Sequence, residues 1–181
     1  MHRLFIAIEI PADIKERMLA LKTQIPTARW LKSQQMHLTI RFIGEVSAQQ
    51  TDEIISALRD IASPGFDLSL NGAGRFPPQK KRGARILWLG VDADQQLADL
   101  HRKIESALEE IGFPPERKPF KPHITLARLK ADRTPTQAVD FLQDNAAFNA
   151  GTFTVARFVL VKSTLSPQGA QYTNLAEYEL K

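Results

Sequence analysis

The stretch His37-Leu38-Thr39-Ile40 occurs again in the second half of the chain as His123-Ile124-Thr125-Leu126. Each copy lies on the second strand-like segment of its half, after a helical segment. The order of elements around the two copies is also alike. This correspondence indicates an internal duplication, and the repeated tetrapeptide is the point from which the fold can be worked out.

The first half alternates strand and helix. A run of strand formers, Arg3–Ile10, precedes an apolar stripe of helical spacing over Ile14–Ile25, and Pro26 ends that pattern. An extended segment over Arg29–Ile43 then carries the first motif, and Gly44 is expected to break it.

The rest of the chain continues this order. Ser47 and Gln50 form a capping-box pattern before a second helix. The later elements are a strand at Phe66–Leu70, a strand at Ile86–Val91, a helix at Leu97–Ile111 ended by Gly112, the motif strand at His123–Arg128, a weaker helix from Pro135 to about Asn145, one long strand at Phe153–Leu165 and a strand at Tyr172–Leu180 pairing with it. The pattern is β-α-β-α-β twice. We therefore expect an α/β or α+β protein, a single domain over 1–181 with repeats at roughly 1–75 and 84–165 and a C-terminal strand at 172–180.

Composition limits the possible chemistry. The 181 residues include no cysteine, which excludes disulfides, thiolate metal sites and a thiol nucleophile. The net charge of +4 permits an anionic partner without selecting one. No stretch reaches the roughly 20 apolar residues of a membrane span, so a soluble, cytoplasmic protein without a membrane partner is expected.

Strand geometry gives the motif its chemical meaning. Because side chains alternate between faces, His37 and Thr39 point one way while Leu38 and Ile40 anchor the strand in a core. If the two lobes face each other, two imidazoles and two hydroxyls converge. One neutral histidine can take a proton from water while a protonated one gives a proton to a leaving oxygen. The threonine hydroxyls can bind phosphoryl oxygens, so the pattern favours metal-independent phosphodiester cleavage.

Two other interpretations of the histidines compete with this one. A single histidine on a strand is usually structural, but two matching motifs at equivalent places in a repeat rarely arise by chance. A zinc site is disfavoured because neither motif contains a carboxylate or a cysteine. His2 is terminal, and His101 is expected on an exposed helix face, so both are interpreted as spectators. We expect neither a metal nor a cofactor.

The chain resembles the 2H phosphoesterase superfamily in its paired His-x-Thr-x motifs. The segments Arg3–Glu9, His37–Val46 and Pro122–Arg128 are similar to bacterial RNA 2′,3′-cyclic phosphodiesterases, a family also called 2′-5′ RNA ligases. The resemblance covers nearly the whole chain.

The resemblance implies an α+β, bilobed fold in which antiparallel sheets flank a central active-site cleft. It implies opening of a terminal RNA 2′,3′-cyclic phosphate to a 2′-phosphate, with weak 2′-5′ ligation as the reverse reaction. Symmetry in the sequence leaves the acid and base roles interchangeable. The resemblance alone implies that His37 would be the general acid and His123 the general base. Thr39 and Thr125 would hold the phosphate. The expected partners are RNA ends or cyclic nucleotides, and a monomer is expected.

Arg128 matches an arginine often found in this family and would bind substrate. Strict alternation places it on the face opposite Thr125, so a local departure from alternation is required. Phe42, at the same offset in the first motif, is interpreted as a core residue. Two basic clusters, Lys80–Arg82 with Arg85 and Arg117–Lys118 with Lys121, could each follow an RNA backbone or be solvated loops.

Two alternatives stay open at this point. The chain could be a module that binds RNA ends or nucleotide phosphates without turnover. It could also be a phosphodiesterase for another cyclic phosphate, such as one on ADP-ribose, or for a 2′-5′ oligonucleotide. The presence of both histidines favours catalysis.

Overall fold

The motif strands belong to two antiparallel sheets in the computed structural model, which describes residues 1–79, 82–92, 95–130, 132–167 and 169–181. The strands are β1 (His2–Glu9), β2 (Ala28–Trp30), β3 (His37–Val46), β4 (Phe66–Phe76), β5 (Ile86–Val91), β6 (His123–Leu129), β7 (Asn149–Val155), β8 (Arg157–Ser166) and β9 (Gly169–Glu179). The α-helices are α1 (Ala12–Leu19), α2 (Ala48–Arg59), α3 (Gln95–Glu110) and α4 (Thr136–Asp144), and a short 3-10 helix covers Ser33–Gln35. The α+β class with two antiparallel sheets is confirmed.

Strand order shows how the two halves combine. One sheet has the order β3-β1-β8-β9 and the other β2-β6-β5-β4-β7. The motif strands β3 and β6 occupy equivalent places beside β1 and β5. Each half also supplies its last strand to the other sheet, since β4 lies beside β5 and β8 lies beside β1. The domain limits 1–181 and the repeat limits remain a prediction. Strand pairing shows that each sheet contains strands from both repeats.

The single strand expected over Phe153–Leu165 is wrong. The chain forms β7 up to Val155 and β8 from Arg157, and the two strands enter different sheets. Every residue from Phe158 to Val161 is buried, because β8 is an inner strand with apolar residues packed on both faces. An apolar run of this kind conceals the one-residue break at Ala156. The expected pairing of the C-terminal strand with its predecessor is confirmed by the β8–β9 ladder.

Several local predictions on helix ends are confirmed. The Ser47 hydroxyl accepts from the Gln50 amide at 3.1 Å, and the Gln50 side chain accepts from the Ser47 amide at 2.9 Å, which completes the capping box of α2. Helix α4 begins after Pro135 and ends before Asn145. Gly112 follows α3 at φ +90°, a conformation that favours glycine.

Several boundaries differ from expectation. The strand expected at Phe66–Leu70 runs on to Phe76, and the 3-10 helix at Ser33–Gln35 interrupts the extended segment expected over Arg29–Ile43. Helix α1 ends at Leu19, and Ile25 reaches the core from a non-helical segment. Pro26 disfavours a helical conformation at the residue before it, so the apolar spacing of Ile25 reports burial and not helix. Gly44 does not end β3, which runs to Val46. Its φ of +95° accommodates an irregularity in the pairing with β1.

The core lies on the faces of both sheets opposite the motif side chains. Leu38, Ile40, Ile124 and Leu126 are buried there, which confirms their expected anchoring role. Truncating a leucine at such a site costs about 2–5 kcal/mol. A second, small cluster of Phe5, Ala7, Val159 and Val161 covers the motif-side face of the four-stranded sheet. In the described part of the chain, no helix is long and apolar enough to cross a membrane.

Candidate active site

A cleft of about 560 Å³ contains both motifs. His37 and Thr39 reach it from β3, while His123 and Thr125 reach it from β6. The alternation of strand side chains accounts for this, because the apolar partners of these four residues point into the core. The structure therefore brings together the four residues on which the sequence analysis placed the chemistry.

His37 lies in aromatic surroundings. Its ring stacks on Phe5, with centroids 4.6 Å apart, and meets the edge of Tyr172 at 5.1 Å. It also hydrogen-bonds the backbone of Gln35. Burial lowers the pKa of His37 to about 4, outweighing the Gln35 hydrogen bond, which acts in the opposite direction. The cleft therefore holds a neutral imidazole at this position at pH 7.

His123 has a similar arrangement in the other sheet. Its Nδ1 lies 2.7 Å from the carbonyl oxygen of Lys121. Because a carbonyl only accepts, Nδ1 carries the hydrogen, and in the neutral ring Nε2 keeps a free lone pair. Phe76 meets the ring at 4.8 Å. Burial lowers the pKa of His123 from its ordinary value, and the positive charge of Arg128 acts in the same direction.

Arg128 lines the cleft because β6 contains a bulge. In the pairing with β5, Leu87 faces Ala127 and Trp88 faces Thr125, so Leu126 is an extra residue. The bulge interrupts the alternation and returns Arg128 to the face of Thr125. The departure from alternation that the sequence analysis required is present.

The equivalent bulge in β3 corrects the interpretation of Phe42. Ala7 pairs with Thr39 and Ile6 with Arg41, which leaves Ile40 as the extra residue. Phe42 therefore lines the cleft with 41% of its surface exposed, and its assignment to the core is wrong.

Several residues of the cleft were not predicted from the sequence. Arg3 and Arg29 line it with Arg128, and none of the lining residues that the structure describes is an aspartate or glutamate. Arg29 pairs with Arg128 across β2 and β6, and the Arg3 guanidinium lies 5.1 Å from the centre of the Phe42 ring. The block that resembles the family begins at Arg3 and was an available signal for that residue, whereas Arg29 carried none.

The predicted basic clusters lie elsewhere. Arg117 and Lys118 are exposed and do not belong to the described lining of the cleft, and Lys121 contributes its carbonyl group to His123. Lys80 and Lys81 lie outside the described residues. Their neighbours Arg82 and Arg85 are absent from the described cleft lining.

The two remaining histidines lie away from the cleft. His2 contacts the Thr51 hydroxyl at 3.1 Å. His101 is half-buried and stacks on Phe120 with ring centroids 4.2 Å apart, so its expected place on an exposed helix face is wrong. Phe120 comes from a segment that folds back over α3, a long-range contact that helical periodicity cannot reveal.

The cleft can bind and polarise an anionic tetrahedral group. It combines two imidazoles that titrate below neutral pH, two hydroxyl donors and three guanidinium groups. No cluster of three or more metal-ligating side chains occurs among the described residues. Such a set suits proton transfer at a phosphate ester.

Two sheets that each present a His-x-Thr strand to a shared cleft define the class of the 2H phosphoesterases. Residues 10–166 match the model of the 2′-5′ RNA ligase superfamily, and the chain belongs to this family.

Relatives and solved structures agree with this assignment. The chain is 32% identical to an RNA 2′,3′-cyclic phosphodiesterase of Thermotoga maritima, covering 99% of this chain and 96% of the relative. It is 31% identical to one of Escherichia coli, with coverage of 99% and 97%. The crystal structure of E. coli LigT complexed with 3′-AMP has a TM-score of 0.80 at 30% identity, covering 99% of this chain and 98% of that one. The crystal structure of a Thermus thermophilus protein, TT0787, has a TM-score of 0.82 at 26% identity, with coverage of 98% and 97%.

Proposed function

We propose that this chain hydrolyses the 2′,3′-cyclic phosphate at an RNA end to a 2′-phosphate, by histidine acid–base catalysis without a metal. The observation that carries the proposal is the meeting of His37, Thr39, His123 and Thr125 in one cleft. The names of the relatives support the substrate class, since several are RNA 2′,3′-cyclic phosphodiesterases. A cytoplasmic location belongs to the same proposal.

In the proposed reaction, water attacks the phosphorus while the bond to the 3′ oxygen breaks. His123 Nε2 takes the proton of the water, and protonated His37 gives its proton to the departing 3′ oxygen. Thr39 and Thr125 donate hydrogen bonds to the non-bridging oxygens, where the charge grows. General acid–base groups contribute about 10²–10⁴-fold each to the rate. Both rings are held in the same way, so their geometry does not distinguish the acid from the base. The two roles are therefore taken from the family resemblance.

The substrate supplies the condition under which His37 acts as an acid. Burial makes the charged ring costly in the cleft, and the pKa of His37 is about 4. A phosphate anion beside the ring stabilises the imidazolium and raises that pKa. Once protonated in aromatic surroundings, His37 releases its proton readily as negative charge develops on the 3′ oxygen.

The walls of the cleft suit a nucleotide. Phe42 and Trp30 offer aromatic surface for a base, and Arg3, Arg29 and Arg128 offer positive charge for phosphates. If the 5′-hydroxyl of a second RNA replaces water, the reverse course joins the ends by a 2′-5′ bond. We propose this ligation as a weak side reaction.

The test uses RNA with a cyclic phosphate end and free 2′,3′-cyclic nucleotides, each with protein in EDTA. A 2′-phosphate product is expected. A 3′-phosphate would disprove the leaving-group assignment, and unchanged RNA would remove the enzymatic claim in favour of a binding module. Turnover that is absent in EDTA and appears only after Mg²⁺ or Zn²⁺ is added would contradict the proposed metal independence.

Single variants test the two catalytic histidines. His37→Ala and His123→Ala should each lower kcat at least about a hundredfold, the scale of one acid–base group. His2→Ala is the matched control, since His2 contacts Thr51 away from the cleft and should leave kcat unchanged. Near-wild-type activity of either cleft variant would refute its role.

A further inference from the structure

Arg41 is a buried arginine on the strand that carries His37. It lies two residues beyond Thr39, with 7% of its surface exposed. It points away from the cleft because the bulge turns Ile40 and Arg41 to the same, interior side of the strand. A buried guanidinium costs free energy unless it is paired and hydrogen-bonded. Its partners therefore show what this position is built to hold.

The partners of Arg41 lie on α3 and on the segment that leads to His123. Its Nε is 3.0 Å from Glu105 Oε1, and its Nη1 is 3.4 Å from Glu116 Oε1. Its Nη2 donates to the carbonyl oxygen of Pro114. One side chain thus joins β3, α3 and the approach segment, defined as residues 112–122.

Glu105 adds a second attachment to the same segment. This carboxylate is 13% exposed, and its Oε2 accepts from the backbone amide of Glu116 at 3.2 Å. One turn earlier on α3, His101 lies 3.9 Å from Glu105 and stacks on Phe120. The approach segment is otherwise largely exposed, with Phe113 and Phe120 as its apolar contacts to the core. We call Arg41, Glu105 and His101 the clamp.

The approach segment ends at the group that orients His123. Lys121 directly follows Phe120, and its carbonyl oxygen accepts from His123 Nδ1. This hydrogen bond fixes the tautomer that leaves Nε2 free for water. Arg41 and Glu105 therefore hold the segment near its start, at Pro114 and Glu116. His101 contacts Phe120, directly before the Lys121 carbonyl that orients the ring.

We propose that Arg41 and Glu105 are positioning residues for His123, acting through the approach segment and the Lys121 carbonyl. The kinetic part of this proposal rests on the proposed function. Because Arg41 belongs to the strand of His37, the clamp also joins the supports of the two histidines behind the cleft.

The decisive variant is the double substitution Arg41→Met/Glu105→Leu. It removes both charges, so neither is left buried and unpaired, and well-packed apolar replacements of a buried pair are often tolerated. We expect kcat to fall about tenfold to a hundredfold with KM little changed, since small displacements of a catalytic group have effects of this size. Arg41→Lys, which keeps the charge without the planar fork, should lose less and serves as a milder variant if the double variant does not fold.

Two readouts separate positioning from a general structural role. The Lys121 hydrogen bond raises the pKa of His123, so its loss should move to lower pH the limb of the kcat profile that His123 sets. The other charged groups that act around this ring are Arg128 on its own strand and His37 across the cleft, and neither is altered. Nitrogen NMR of the histidine rings should show His123 leaving the pure Nδ1–H tautomer.

Arg102→Met is the matched control. Arg102 forms an exposed ion pair with Asp99 on the same helix, so its loss should leave kcat and the His123 tautomer unchanged. A folded clamp variant with wild-type kcat and an unchanged His123 tautomer would overturn the proposal. The NMR readout needs no turnover, so it tests the clamp even if the wild-type protein fails to hydrolyse cyclic phosphates.

Discussion

At the scale of single residues, the two histidines are oriented by the same kind of backbone hydrogen bond. Each ring is tied to the backbone of the residue two positions earlier, His37 to Gln35 and His123 to Lys121. A backbone partner cannot rotate away as a side chain can, so ring orientation is settled before substrate arrives. Neither ring has a carboxylate among the described residues of the cleft, and both are therefore easily kept neutral.

This electrostatic setting predicts an acidic optimum for kcat/KM. That parameter reports the free protein, in which the pKa of His37 is about 4 and the pKa of His123 lies below 6.5. One ring must be protonated and the other neutral, so the active population is largest between the two pKa values and falls above the higher one. We expect the maximum of kcat/KM below pH 6.5.

Bound phosphate raises the pKa of both histidines, whereas burial in the free protein lowers it. A phosphate anion favours imidazolium, so both limbs of kcat should lie at higher pH than those of kcat/KM. Steady-state rates on a cyclic-ended RNA from about pH 4 to about pH 9 would measure both profiles, with circular dichroism to confirm folding at each pH. A kcat/KM maximum above about pH 7 would contradict the lowered pKa values.

At the scale of elements, the two bulges decide which residues reach substrate. Ile40 and Leu126 are each the fourth residue of their motif and each interrupts the alternation of its strand. Phe42 and Arg128 therefore return to the cleft at the same offset. One irregularity, present in both repeats, gives an aromatic surface on one wall and a guanidinium on the other.

Phe42→Ala tests the consequence of the first bulge. Stacking of a base on an aromatic side chain contributes about 1–3 kcal/mol, so KM for an RNA end should rise about tenfold while kcat changes little. Thermal stability should change little, because Phe42 is already largely exposed. Val139→Ala is a matched control, since Val139 is 38% exposed on α4. Unchanged KM in the Phe42 variant would show that this ring does not contact the RNA.

The bulges are also features of the site that could not be predicted from the sequence. The His-Thr pairs, the capping box at Ser47 and the end of α3 at Gly112 were predictable, because each depends on residues close together in sequence. The bulge at Leu126 depends on pairing with β5, and the break at Ala156 depends on which sheet each flanking strand joins. Arg29 enters the cleft through the three-residue strand β2, whose pairing with β6 left no periodic signal.

At the scale of the whole molecule, strand exchange makes the two sheets depend on each other. β4 follows the first motif in sequence but completes the sheet of the second, and β8 does the reverse. The main core includes buried residues from both sheets, such as Leu38 and Leu89. The relative placement of the two histidines therefore depends on the folding of both repeats together.

This interdependence predicts one cooperative unfolding transition. Trp30 and Trp88 both lie in the five-stranded sheet, so tryptophan fluorescence reports that sheet, whereas far-ultraviolet circular dichroism reports all elements. In urea, the two signals should give the same midpoint. Leu38→Ala, a truncation in the four-stranded sheet, should lower the free energy of unfolding by about 2–5 kcal/mol and move the tryptophan midpoint as far as the dichroism midpoint. A tryptophan transition that stays at its wild-type position while dichroism shifts would show that the sheets unfold independently, despite the exchanged strands.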